Sequence, residues 1–262
     1  MIFRFEGKRQ LTGALIWAAV LALVLWLMLY GFYPLFLDCR PIVERYIAAF
    51  PEGFATAFGF NLDDLFGFAS FYNLVYLYEA LLGAILAATL SLAVFGREKK
   101  EKCADFLMTK PVGRAAIFFQ KLLCCLSLLI LTDIPYLALY LISLRHFGSE
   151  ITAAAWLGAF CLPLTQLLFL AAGVFAAVFL RRVRSAAGLG ASIGMFAFLL
   201  SVVHSLVEKD GLQFVDPLFY FSPKVVFQYG RYDVPCAALA LVLTGALVGA
   251  AYCKYTREDL AA

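Results

Sequence analysis

Two carboxylates interrupt long apolar stretches of the sequence, and they have the clearest potential for chemistry. Glu79 lies within the apolar run 71–95, and Asp133 lies within the run 116–144, two residues before Pro135. A carboxylate is costly to bury among apolar side chains, so such groups mark an ion or substrate path or are satisfied by Tyr, Thr or backbone groups. Both interpretations stay open for this pair, which we treat as a candidate path.

A second pattern has the form of a hydrolase motif. Gly190-Ala191-Ser192-Ile193-Gly194 matches Gly-x-Ser-x-Gly, but that motif requires a strand-to-helix turn, whereas this one lies inside the apolar run 185–207. His204 would lie about 18 Å further along the same helix, out of reach of Ser192. No catalytic residue is therefore predicted.

Small residues at four-residue spacing allow close approach of two helices instead. This interpretation assigns helix packing to Gly190 and Gly194, and equally to Gly245 and Gly249. The seven cysteines and two histidines lack the spacing of metal ligands, so no metal site is predicted. Cys39 and Cys236 both fall near the predicted outer face, where spacing alone does not decide whether they form a disulfide.

The composition determines which elements must hold these residues. Hydrophobic residues make up 64% of the 262 residues and charged residues 15%, against roughly 25% charged residues in soluble domains. A soluble fold of this size cannot cover so much apolar surface. The chain is therefore expected to be an integral membrane protein. The same composition excludes a soluble enzyme, a nucleic-acid-binding protein, a disordered chain and a disulfide-stabilised secreted module.

Six apolar stretches are long enough to cross a bilayer as helices, which takes about 20 residues each. The predicted fold is all-α, with six transmembrane helices in a single domain covering residues 1–262. The expected spans are 11–33, 71–95, 116–144, 151–180, 185–207 and 234–253. The first is too long for a signal-peptide core and has no cleavage site behind it, so we expect it to remain uncleaved.

The distribution of Lys and Arg predicts the orientation. Fourteen of these residues fall on the side of the two termini and six on the other side. Because basic residues favour the cytoplasm, both termini are expected to be cytoplasmic, in the cell membrane. Segments 38–70 and 208–233 are then external, and residues 42–50 within the first have the periodicity of a short amphipathic helix. Residues 1–10 interleave apolar and charged side chains, which fits either an interfacial helix or a simple positive anchor.

The connection between the second and third spans, residues 96–115, is the most informative stretch. It begins with closely spaced charged residues, including a favourable Glu98–Lys102 pair. The bulky apolar residues 106–108 follow, in a part of the loop that is expected to face water. Pro111 ends any helix there. Two interpretations fit: a membrane-parallel helix that docks a cytosolic partner, or a solvated loop whose apolar residues return to lipid.

This stretch resembles the cytoplasmic loop of the ABC-2 type permeases, the membrane subunits of one class of ATP-binding-cassette transporters. The matching residues are Glu98, Glu101, Phe106-Leu107-Met108, Pro111-Val112, Arg114 and Lys121. Lys102-Cys103 replaces the family's Gly-Thr pair, and Gly113 replaces a serine. The ending Tyr255–Leu260 and the outer stretch Ile42–Phe60 are also similar to parts of this family.

The resemblance implies a six-helix permease that works as a homodimer or heterodimer, driven by a separate cytosolic ATPase that binds ATP and Mg²⁺. No cofactor is expected in this chain, and the protein is expected to be an exporter rather than an enzyme. The implied short coupling helix lies within loop 96–115, with the contact residues Glu98, Glu101, Asp105, Phe106, Leu107, Met108, Pro111 and Arg114.

Other functions stay open at this point. The sequence contains no Gly-x-x-x-x-Gly-Lys-Ser/Thr phosphate-binding motif, so any ATP must be bound by another chain. An ATPase-independent scaffold or assembly protein would explain the spans but not the charged loop with its apolar step. A secondary transporter would more often be longer, with inverted repeats and broken helices at mid-membrane, and no convincing repeat relates the two halves of this sequence.

Overall fold

The computed structural model describes residues 2–48, 66–97, 113–147, 152–207 and 211–257, and all regular structure within these ranges is helical. In chain order the α-helices are α1 Ile2–Trp26, α2 Tyr33–Asp38, α3 Arg40–Ala48, α4 Phe68–Phe95, α5 Arg114–His146, α6 Ala153–Phe179, α7 Ala186–Val207, α8 Pro223–Tyr229 and α9 Val234–Arg257.

Within the described ranges, six helical stretches are long and apolar enough to cross a membrane, as the sequence predicts. Their bounds are Phe3–Ile42, Phe68–Phe95, Arg114–His146, Ala153–Phe179, Ala186–His204 and Val234–Arg257. The all-helical class with six candidate spans is confirmed. A helix suits such a segment because it satisfies nearly all of its backbone hydrogen bonds internally, as a bilayer requires.

The start of the chain differs from the prediction. α1 begins at Ile2 and runs without a break past residue 10, so a separate interfacial helix before the first span is wrong. No proline interrupts this segment to end the helix. Glu6 is buried there and forms an ion pair of 2.8 Å with Arg97, which directly follows α4. The first turns of α1 are thus fastened to the body of the protein.

A π-helical segment, Leu27–Phe32, joins α1 to α2. Pro34, near the start of α2, cannot donate a backbone hydrogen bond to Tyr30, and its ring crowds that carbonyl group. A wider π turn relieves this crowding and keeps the helical stretch continuous. α3 follows where the sequence predicts a short helix.

α4 occupies the centre of the bundle. It packs against α6 and α7, while α1 packs against α5 and α9 against α6. Small residues on α4, such as Ala80, Ala84 and Ala87, are completely buried and allow these neighbours to approach closely. α7 and α9 expose large apolar side chains on their outer faces, as expected for contact with lipid.

The segment between α7 and α9 folds over one end of α4. Its short helix α8 has no capping hydrogen bond from its own N-cap side chain, Ser222. Instead, Asn73 of α4 accepts a hydrogen bond of 3.1 Å from the backbone N–H of Lys224. This bond satisfies one of the free donors at the start of α8 and holds the segment against α4.

Candidate functional site

Polar residues occupy the facing sides of α4, α5 and α6 in the middle of an apolar bundle. The spacing of four and three residues on α4 and of three and four on α5 places each set on one helix face. All of them are buried. We call this set the polar cluster: Tyr72, Tyr76 and Glu79 on α4, Asp133, Tyr136 and Tyr140 on α5, and Cys161, Thr165 and Gln166 on α6.

Hydrogen bonds between helices satisfy the tyrosines of the polar cluster. The hydroxyls of Tyr72 and Tyr136 lie 2.8 Å apart, and those of Tyr76 and Thr165 also lie 2.8 Å apart. Tyr140 donates to the carbonyl oxygen of Ala155 at 3.3 Å. These bonds join α4, α5 and α6 and fix the orientation of the rings.

The carboxylates and the amide of the polar cluster are not satisfied in this way. Among the described residues, neither oxygen of Glu79 has a hydrogen-bond partner, and the same holds for Asp133 Oδ1 and for both amide atoms of Gln166. Glu79 and Gln166 are 0% exposed and Asp133 is 6% exposed. Leaving such groups unpaired costs roughly 1–3 kcal/mol for each neutral group and more for a charged one.

These three side chains belong to the same region. Asp133 lies close enough to the Gln166 amide to interact with it, and Glu79 lies within electrostatic range of Tyr136. A Cβ placed on Gly83, one helical turn from Glu79, would lie 3.1 Å from Gln166 Nε2. The Gln166 side chain therefore lies beside Asp133 of α5 and against the turn of α4 that follows Glu79.

The bundle supplies little positive charge to this region. α4 and α6 contain no Lys or Arg. On α5 the buried Lys121 lies twelve residues before Asp133, about 18 Å along the helix. Its ammonium group lies instead 5.5 Å from the centre of the Phe95 ring and 5.9 Å from that of Tyr255.

The segment 211–233 covers the polar cluster at one end. Tyr232 donates a hydrogen bond of 2.7 Å to the carbonyl oxygen of Leu157 on α6, and the Phe227 ring lies edge-on to Tyr72 with 6.3 Å between centres. His204 Nδ1 of α7 lies 3.0 Å from Oδ2 of Asp216, which belongs to this segment. Burial raises the pKa of the Tyr220 and Tyr232 hydroxyls, as expected for groups removed from water.

The predicted ATPase-contacting loop lies mostly outside the described residues. This applies to Glu98, Glu101, Asp105, Phe106, Leu107, Met108 and Pro111. Arg114 opens α5 and is partly exposed. The two ends of the loop are described, and they are close together, because the rings of Phe95 and Phe118 lie 5.2 Å apart.

The four predicted packing glycines fall into two groups. A Cβ on Gly190 would lie 2.8 Å from the backbone nitrogen of Thr89, and one on Gly194 would overlap the Ile85 side chain, so both lie directly against α4. A Cβ on Gly245 or Gly249 would meet nothing within 4 Å. Only the first pair borders another helix of the described chain.

The tyrosines of the polar cluster were missed as functional candidates by the sequence argument, which considered charge first. Their spacing contained a signal, since Tyr72, Tyr76 and Glu79 share one helix face, as do Asp133, Tyr136 and Tyr140. No group of three or more His, Cys, Asp or Glu within the described ranges is placed to hold a metal ion.

Comparison with known proteins identifies the family. The sequence model described as ABC-2 family transporter protein matches residues 46–260. No curated protein matches the chain. The match covers loop 96–115 and the polar cluster, and it extends over most of the sequence. With its six long apolar helices, the chain belongs to the ABC-2 family of transporter membrane proteins.

Proposed function

We propose that this chain is the permease subunit of an ABC transporter, driven by a separate cytosolic ATPase and exporting its cargo. In this proposal both termini are cytoplasmic, the permease pairs with a second copy or a related chain, and ATP and Mg²⁺ are bound by the ATPase. Family membership supports the general scheme. The excess of Lys and Arg on the side of the termini supports the orientation.

The way the loop is anchored is the observation that carries this proposal. Arg97, at its first end, pairs with Glu6 of α1 at 2.8 Å. At its second end, Phe118 of α5 packs against Phe95 of α4 and against Tyr255 of α9, with 5.6 Å between the Phe118 and Tyr255 ring centres. A force on the loop would therefore reach α1, α4, α5 and α9 together.

Such an arrangement suits a coupling element. ATP binding can drive a conformational change in the permease only if the ATPase binds one permease conformation more tightly than another. A loop whose ends are fastened to four helices transfers that difference in affinity to the bundle. The apolar residues Phe106 and Leu107 would provide the binding contact by burying their side chains in the ATPase surface.

Substitution within the loop tests this proposal. Phe106→Asp places a charge in the proposed contact and is expected to abolish co-purification of the ATPase from native membranes, whereas Phe106→Leu is expected to retain it. Both variants should insert normally, because the change lies outside the spans. Undiminished ATPase recovery with Phe106→Asp would contradict the coupling role. Purification of wild-type permease without any ATPase would favour the scaffold or secondary-transporter alternatives.

A further inference from the structure

We propose that the polar cluster binds the protonated amine of an amphipathic organic molecule. As a cargo site it rests on the proposed permease function, whereas the binding itself is a property of this chain alone. The strongest observation is the set of unpartnered polar atoms on Glu79, Asp133 and Gln166, buried in the same region of the bundle. Intramembrane ionisable groups of this kind commonly mark a substrate or ion path.

The chemistry of these atoms specifies a donor-rich ligand. Four acceptor oxygens have no partner, two on Glu79, one on Asp133 and one on Gln166. The amide nitrogen of Gln166 is the one donor among these groups, and it lies close to Asp133. A protonated primary amine offers three N–H donors and no acceptor, which complements such a set. A carboxylate or phosphate ligand would instead be repelled.

The charge balance indicates the same kind of ligand. Burial in a low-dielectric region disfavours the charged form of each carboxylate unless a cation lies nearby. With no basic residue on α4 or α6, and Lys121 about 18 Å away along α5, the described bundle does not supply the counter-charge. A bound cation would do so.

The aromatic surroundings favour an organic cation over a small metal ion. The rings of Tyr72 and Tyr140 lie 4.6 Å apart. Each residue is seven positions from a carboxylate, Tyr72 from Glu79 and Tyr140 from Asp133, or about 10 Å along the helix. Rings at this distance can pack against the apolar body of an amphipathic molecule whose ammonium group lies at the carboxylates. A metal ion would require more charged or imidazole ligands than the described residues bring together here.

Two prolines provide points where the closed site can open. Pro135 lies two residues after Asp133, and Pro163 lies three residues before Gln166. Each lacks a backbone N–H, so α5 and α6 each lose one intrahelical hydrogen bond beside the polar cluster. Helices bend most easily at such positions, which gives a route by which α5 and α6 can separate around a ligand.

Binding of a fluorescent amine to the purified permease tests the proposal. The probe is dansylcadaverine, which carries a primary amine, and its N-acetylated neutral form is the matched control ligand. Both are titrated against the full chain in nanodiscs of phosphatidylcholine, with empty nanodiscs as background. We expect saturable binding of the amine and at least tenfold weaker binding of the acetylated form.

The variants locate the site. Glu79→Gln and Asp133→Asn preserve side-chain size but remove the charge, and each is expected to weaken amine binding about tenfold. Asp38→Asn, at the exposed end of α2, is the matched control and should bind as wild type. If Glu79→Gln fails to fold, Glu79→Asp, which keeps the charge, is expected to fold and to retain the preference for the amine.

Four results would overturn the proposal. They are the absence of saturable binding, equal binding of the acetylated probe, wild-type affinity in both neutral variants, and displacement of the probe by Na⁺ at concentrations that leave the empty-nanodisc background unchanged. The assay contains no ATPase, so failure here is distinct from failure of the coupling proposal. Phe106→Asp permease should still bind the amine.

Discussion

Replacement of Gly173 by alanine tests how tightly α6 packs against α4. A Cβ at this position would overlap the Ser91 hydroxyl and would lie 2.8 Å from the carbonyl oxygen and 3.0 Å from the Cα of Ala88. The Ser91 side chain can rotate away, but it then gives up hydrogen bonds of 2.9 Å and 3.0 Å to the carbonyls of Ala87 and Ala88. The backbone of Ala88 can move only if the two helices separate.

The magnitude follows from comparison with a glycine that has free space around it. A Cβ on Gly13, on the exposed face of α1, would meet nothing within 4 Å. Alanine in either helix gains roughly 0.5–1 kcal/mol in helix propensity over glycine. This gain cancels between the two variants. The difference in unfolding free energy is therefore the cost of overpacking at Gly173, about 1–3 kcal/mol.

Reversible unfolding in mixed micelles, with increasing SDS and detection by circular dichroism, measures this difference. Gly13→Ala is expected to be as stable as the wild type or slightly more stable, and Gly173→Ala is expected to be clearly less stable. Adding Ser91→Ala to Gly173→Ala should recover only part of the loss, because the contact with Ala88 stays. Equal unfolding free energies for Gly13→Ala and Gly173→Ala would refute the close approach of α6 to α4.

Two further substitutions test hydrogen bonds between elements. Asn73→Ala should lower the unfolding free energy by about 1 kcal/mol, because α8 loses its cap, and it should speed proteolysis within 211–233. Asn73→Asp still accepts the hydrogen bond from Lys224 and should behave nearly as wild type. Tyr72→Phe leaves the Tyr136 hydroxyl unpaired, at a cost of about 1–3 kcal/mol. The Tyr72→Phe, Tyr136→Phe double variant should lose less than the two single losses combined, and simple additivity in this thermodynamic cycle would argue against the bond.

The sequence was sufficient to predict the helical class and the six long apolar helices, because length and apolar composition alone decide which segments can cross a bilayer. It failed for residues 2–10, where mixed charge suggested an interfacial helix. There the burial of Glu6 against Arg97 keeps the segment aligned with the rest of α1. This pairing joins residues 91 positions apart, which local periodicity does not reveal.

The candidate site was predictable only in part. Glu79 and Asp133 stand out because charge is rare in apolar runs. Tyr72 and Tyr136 do not, because tyrosine is also common at membrane interfaces, and only the fold brings their hydroxyls together. Gln166 could not be identified because it lies against Gly83 of another helix. The spacing of residues within one helix does not predict such a contact.

The π-helical segment Leu27–Phe32 also changes which side of the first helical stretch its residues face. Leu21, Leu25, Leu29 and Tyr33 are all buried and follow one another at intervals of four residues. In a regular α-helix each such step rotates the side chain by about 40° around the axis. The three steps would turn Tyr33 away from the bundle and into lipid. The wider turns take back part of this rotation, so the Tyr33 hydroxyl reaches the carbonyl oxygen of Phe66 at 3.1 Å. A helical wheel drawn with one fixed period from α1 would thus misplace the residues of α2 around the helix axis.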